Sequence, residues 1–180
     1  MASCDHVRTF PVDLFPNSTI SIALFDGIKN HDELKKKIIS GKIDAALLSA
    51  KKICDIFQVL VAATKAVGAK SNGKLKTRSI NSEVLFSLSP SNNITESLRT
   101  FGVSPSDSAV VAVTIDDFDG LKIQNVAQQI NAEMKPLDQL NRYTDEDIIK
   151  KVYKISDAEL KHSKLLDSVA TRIAVKEFAT

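Results

Sequence analysis

Ala109–Ile115 is an almost unbroken run of alanine and β-branched residues, with Thr114 its one polar side chain. A run of that kind reads as a central strand buried on both faces, so the chain must supply cover on each side of a sheet. Three weaker strand signals accompany it. Phe10, Val12 and Leu14 alternate with polar or proline positions, and Pro11 marks that strand as an edge. Ile20, Ile22 and Leu24 alternate in the same way after the turn Pro16–Ser18, which predicts a hairpin. Val84, Phe86 and Leu88 recur at period two and predict a third strand.

Helix signals fill the intervals. Asn30 with Glu33 forms a capping-box pair ahead of Leu34 and Ile38, and Gly41 ends that helix. Ile43–Leu48 reads as a second, short helix. Asp55 caps a helix that is apolar nearly all round: Ile56, Leu60, Ala63 and Val67 share one stripe, Phe57 and Val61 another, and Gly68 is its natural stop. Asn93 with Glu96, Thr144 with Asp147 and Ser156 with Glu159 repeat the capping-box spacing. Ile123, Val126, Ala127 and Ile130 make a helical face, and a last helix runs from about Asp157 along Leu165, Leu166, Val169, Ala170 and Ile173. The pattern predicts a single α+β domain over residues 1–180, with residues 1–8 frayed. Its sheet is four-stranded and mixed, packed by several helices.

Composition narrows the function classes. The 180 residues are 43% hydrophobic and 26% charged with a net charge of +2, a profile too balanced to announce a strong nucleic-acid binder. Cys4 and Cys54 give no disulfide framework and read as reduced thiols of an intracellular protein. The start Met1–His6 lacks the basic-then-apolar pattern of a signal peptide, and runs such as Val59–Ala63 are far too short to span a bilayer. The expected location is cytoplasm and nucleus, without membrane contact.

Chemistry is hard to find. Gly68–Lys74 matches the first positions of a phosphate-binding P-loop, but a helix precedes it where a strand belongs, and Leu75 stands where the magnesium-binding hydroxyl would be. His6, His31 and His162 are far apart and lack partners at zinc-ligand spacing. Asp116, Asp117 and Asp119 lack the bidentate glutamate of a calcium loop. No nucleophile elbow surrounds a serine, and no recognisable motif places a histidine beside Cys54. The expectation is a non-enzyme with no cofactor and no metal. Two features remain. Lys65, Lys70, Lys74, Lys76 and Arg78 form a basic cluster, read on charge alone as a solvated loop with nucleic-acid phosphate as the rival. Val175 and Phe178 fall off the stripe of the last helix, which fits either a frayed tail or a contact with another protein.

Several segments together resemble one family. Leu14–Pro16, Ile43–Leu47, Phe57–Val67, Lys76–Arg78, Glu83–Pro90, Asn92–Ile94, Phe101–Gly102 and Leu165–Asp167 occur in the order found in the PRPK-binding (TPRKB) family, a small subunit of the KEOPS complex. That complex installs threonylcarbamoyl on adenosine 37 of tRNA. The resemblance implies a non-catalytic regulatory subunit that binds an atypical kinase/ATPase directly. The threonylcarbamoyltransferase subunit is then met only indirectly, in the same complex. It implies kinase contact through Ile173, Val175 and Phe178 of the last helix, joined by Ile43 and Leu47. It also implies a tRNA contact by Lys65, Lys70, Lys74, Lys76 and Arg78. The first alternative is a tRNA 3′-end-binding module using that basic loop; the second is a small nucleotide-binding enzyme. Stacking of an RNA end would need Phe57 or Phe86, and both are expected to be buried.

Overall fold

The structure is a computed structural model and describes residues 6–178. The reading of Cys4 and most of the expected frayed segment 1–8 lie outside the described residues, while Arg8 already belongs to the first strand. Five strands make one antiparallel sheet: β1 (Arg8–Pro11), β2 (Thr19–Asp26), β3 (Ala46–Ser49), β4 (Ala109–Ile115) and β5 (Glu133–Lys135). The order is β1-β2-β4-β3, with β5 pairing the end of β2 that β1 leaves open. Seven α-helices among the described residues cover it: α1 (His31–Ile39), α2 (Ile56–Ser71), α3 (Ile80–Leu88), α4 (Ile94–Phe101), α5 (Leu121–Gln129), α6 (Glu146–Tyr153) and α7 (Leu165–Ala174).

The α+β class and the doubly buried β4 follow the sequence reading. Val111, Val113 and Ile115 face a large core filled by Val59, Ala62, Ala63 and Ala66 of α2, Val84 and Leu88 of α3, and Val169 and Ile173 of α7. Val110 and Ala112 face a smaller core with Leu34 of α1 and Ile123 and Val126 of α5. The expected hairpin is present, with β1 at an edge, although Leu14 sits exposed in its turn rather than in the strand.

Four expectations are corrected. The sheet has five strands and pairs antiparallel throughout, where four strands and a mixed sheet were expected. Ala46–Ser49 is β3 and not part of a helix: Ala46 and Leu48 enter one core and Leu47 the other, so a two-sided strand left no polar alternation to read. Val84, Phe86 and Leu88 lie on α3, capped by Ser79, whose hydroxyl accepts from the Ser82 N–H at 3.2 Å. Every residue from Glu83 to Leu88 is buried, so the spacing of apolar positions carried no period. The last helix is interrupted: a 3₁₀ turn at Glu159–Lys161 precedes α7.

One smaller departure bears on the site. α2 runs through Gly68 to Ser71, and the Phe15 ring lies so close that a Cβ on Gly68 would sit 3.3 Å from it. A buried polar pillar then fixes α2 against α3 and α6. Gln58 Nε2 donates to the Tyr153 hydroxyl at 3.0 Å, and that hydroxyl donates to the Leu88 carbonyl at 2.6 Å.

A candidate interaction surface at the end of the last helix

α7 packs on α2 with Val169 and Ile173 inward and stops at Ala174. Its terminal carbonyls find a partner on the neighbouring helix. Lys65 Nζ of α2 donates to the Ile173 carbonyl at 2.5 Å and pairs with Glu177 Oε2 at 2.9 Å. A cation at a helix C-terminus satisfies unpaired carbonyls and opposes the negative end of the dipole. The turn after α7 is fastened a second time. Lys176 Nζ donates to the Phe86 carbonyl and stands 3.3 Å from the centre of the Phe86 ring. Lys176 is only 4% exposed. Burial, with Lys65 and Lys76 nearby, pushes its pKa down from the ordinary 10.5 to about 8.

With Lys176 turned inward, its neighbours turn outward. Val175 is 42% exposed and Phe178 83%. Phe57 of α2 is 51% exposed, against the expectation that it would be buried; Phe86 is buried as expected. Phe57, Leu60, Val61 and Thr64 form one wall of a groove of about 460 Å³, and Ala174 and Glu177 form the other. The end of α7 and the outer face of α2 therefore share one groove. Ile173, expected at the contact, has no exposed area and belongs to the core. Ile43 and Leu47 are likewise buried, at 4% and 3%. They line a different cavity, of about 630 Å³ between α1, β3, α3 and α4, which shares no residue with the groove.

The basic residues divide. Lys65 is spent on the α7 terminus, and Lys70 lies 3.7 Å from Asp116. Lys74, Lys76 and Arg78 are exposed on the loop that joins α2 to α3. That loop is folded around the buried Glu83, whose Oε2 accepts from the Lys76 N–H at 3.0 Å, the Thr77 N–H at 2.9 Å and the Thr77 hydroxyl at 2.7 Å. Nothing in the sequence pattern pointed to Glu83 or Lys176, because each acts on a segment that only the packing of α3 brings near.

The P-loop-like stretch takes another form. Gly68–Ser71 is helical, Gly73 takes the left-handed conformation at φ 64°, and the Lys74 N–H donates to the Ala69 carbonyl at 2.8 Å. This is a helix C-terminus, whose carbonyls repel phosphate, whereas a phosphate loop needs amides at an N-terminus. The Asp116–Asp119 loop also has local duties: the buried Asp117 accepts from the N–H groups of Lys122 at 3.0 Å and Ile123 at 2.9 Å, starting α5.

The depressed Lys176 pKa has a measurable sign. The unfolded chain holds that proton up to about 10.5 and the folded chain only to about 8. Stability therefore rises with pH between these values. Cys54, pushed up by burial from 9.0 to about 11, works in the opposite sense above 9. Urea unfolding of wild type and Lys176→Met at several pH values separates the two, since the variant keeps the Cys54 contribution. The wild-type advantage from raising the pH above 8 should vanish in the variant; equal pH profiles would refute the assignment.

Sequence comparisons identify relatives of the chain. A profile of the family described as "Kinase binding protein CGI-121" matches residues 25–177. The chain is 40% identical over 172 residues to the EKC/KEOPS complex subunit TPRKB of Danio rerio, covering 95% of this chain and 98% of that protein. It is 32% identical to the EKC/KEOPS complex subunit CGI121 of Yarrowia lipolytica, over 76% of this chain and 79% of that one. It is 33% identical to the cgi121 subunit of Aspergillus fumigatus, over 76% of each chain.

Proposed function

Because the chain belongs to the CGI-121 family of kinase-binding proteins, we propose that it is a non-catalytic subunit of a KEOPS-type assembly. In this reading it seats directly on an atypical kinase/ATPase through Phe57, Val175 and Phe178. The threonylcarbamoyltransferase subunit is reached through that kinase, and the chain supports modification of adenosine 37 in tRNA by holding its partner in place. The assembly works in cytoplasm and nucleus. One observation carries the reading: three large apolar side chains, Phe57 on α2 and Val175 and Phe178 after α7, stay exposed on two elements that share one groove, while the backbone of the turn is firmly tied. Large exposed apolar patches mark protein contacts, and aromatic residues dominate their energetics.

The test uses Phe57→Asp. Position 57 follows the Asp55 cap in the first turn of α2, where a carboxylate suits the helix dipole, so the fold tolerates it. Titration calorimetry with the purified kinase should show at least ~10-fold weaker binding, the effect of losing about 1.4 kcal/mol at an interface. Ile39→Asp, at a still more exposed apolar position on α1, should bind as wild type. Unchanged affinity for Phe57→Asp would remove α2 from the docking face. Contact between tRNA and Lys74, Lys76 and Arg78 ranks second, favoured by their exposure. Phe86, sealed under Lys176, gives that contact no stacking face.

A further inference from the structure

A third concavity adjoins the groove, with Lys65 and Glu177 common to both. Its walls are α2, α3, the loop that joins them and the turn after α7, and its volume is about 260 Å³. Four lysines line it, Lys65, Lys74, Lys76 and Lys176, together with Asn72 and Phe86. Two carboxylates face it as well, and both are already engaged. Glu83 accepts three hydrogen bonds from Lys76 and Thr77, and Glu177 is held by Lys65. Lys76 and Lys176 both stand over the Phe86 ring, at 5.7 Å and 3.3 Å from its centre. Among the described residues, neither Lys74, Lys76 nor Lys176 makes an ion pair with a carboxylate.

A buried ammonium beside other ammonium groups is an unfavourable arrangement that a multivalent anion reverses. We propose that this cleft binds a phosphate dianion, free or carried as a monoester. The volume lies below that of sites for drug-sized ligands, which suits a tetrahedral oxyanion better than a nucleotide. Lysines recognise phosphate as mobile point charges, and Lys74 and Lys76 are exposed and able to close on it. A bound dianion would hold the Lys176 proton to higher pH. Occupancy adds a third fastening to the turn that carries Val175 and Phe178; only this last consequence rests on the docking reading above.

The experiment needs no kinase, so its failure leaves the docking proposal standing. Lysine methylene signals of the full chain are followed by NMR while sodium phosphate replaces sodium chloride at constant ionic strength. Saturable shifts are expected at Lys74, Lys76 and Lys176. At phosphate about ten times its dissociation constant, the Lys176 midpoint should rise by about one pH unit. Lys74→Gln with Lys76→Gln should abolish the response, and Lys35→Gln should leave it intact. O-phosphoserine binding like inorganic phosphate assigns a monoester, and binding of phosphate alone assigns the free ion. Equal shifts in chloride, equal binding of the singly charged dimethyl phosphate, or an unaltered response in the double variant would each overturn the proposal.

Discussion

Replacing Val175 and Phe178 together by aspartate should weaken kinase binding by about 100-fold or more while leaving the melting temperature unchanged. Central aromatic positions at interfaces cost at least about 2 kcal/mol when truncated, and a factor of 100 corresponds to about 2.7 kcal/mol. Introducing two carboxylates adds the cost of burying unpaired charge against the partner. The free chain has little to lose. Both side chains are exposed, and the backbone hydrogen bonds of the turn, Val175 N–H to the Thr171 carbonyl and Phe178 N–H to the Val175 carbonyl, survive the change. Lys65 and Lys176 keep their own contacts. Surface plasmon resonance against immobilised kinase measures the effect. Affinity within about threefold of wild type would mean that the apolar end is not where the partner sits.

Glu83→Ala should be the most damaging single change outside the apolar cores, lowering the unfolding free energy by about 2–4 kcal/mol. One buried oxygen serves three donors, and an orphaned buried donor costs about 1–3 kcal/mol. Two of the three are backbone amides with no substitute nearby, so the loop from Asn72 to Ser79 must open to reach water. Urea titration reads the loss. Hydrogen exchange places it, with protection of the Lys76 and Thr77 amides falling far more than that of β4. Glu83→Gln keeps an acceptor and should cost less than half as much. A loss below about 1 kcal/mol for Glu83→Ala would show that the loop is held by something else.

Elements with one polar face could be read from the sequence. β1, α1 and α5 keep a solvent face, β2 alternates larger apolar with smaller residues at its start although both its faces are buried, and β4 declares itself by lacking any alternation among β-branched residues. β3 and α3 could not. Each is buried on every side, so nothing polar marks a period of two or of 3.6, and local propensity was overridden by the layers packed on them. The site follows the same logic. Val175 and Phe178 stand beyond the last core residue of their helix, which made them visible. Phe57 sits on a helix apolar nearly all round, and no pattern within such a helix says which side the fold leaves open. Ile43 and Leu47 were read on a short helix, where the structure has a loop leading into β3.

The double fastening of the turn after α7 determines how an encounter with a partner would unfold in time. Lys65 and Lys176 hold the segment in its final shape before any partner arrives, so no conformational rearrangement of this chain stands between collision and complex. The observed association rate should climb linearly with kinase concentration, without a plateau. Cutting the Lys176 tether with Lys176→Met should slow capture far more than it hastens release.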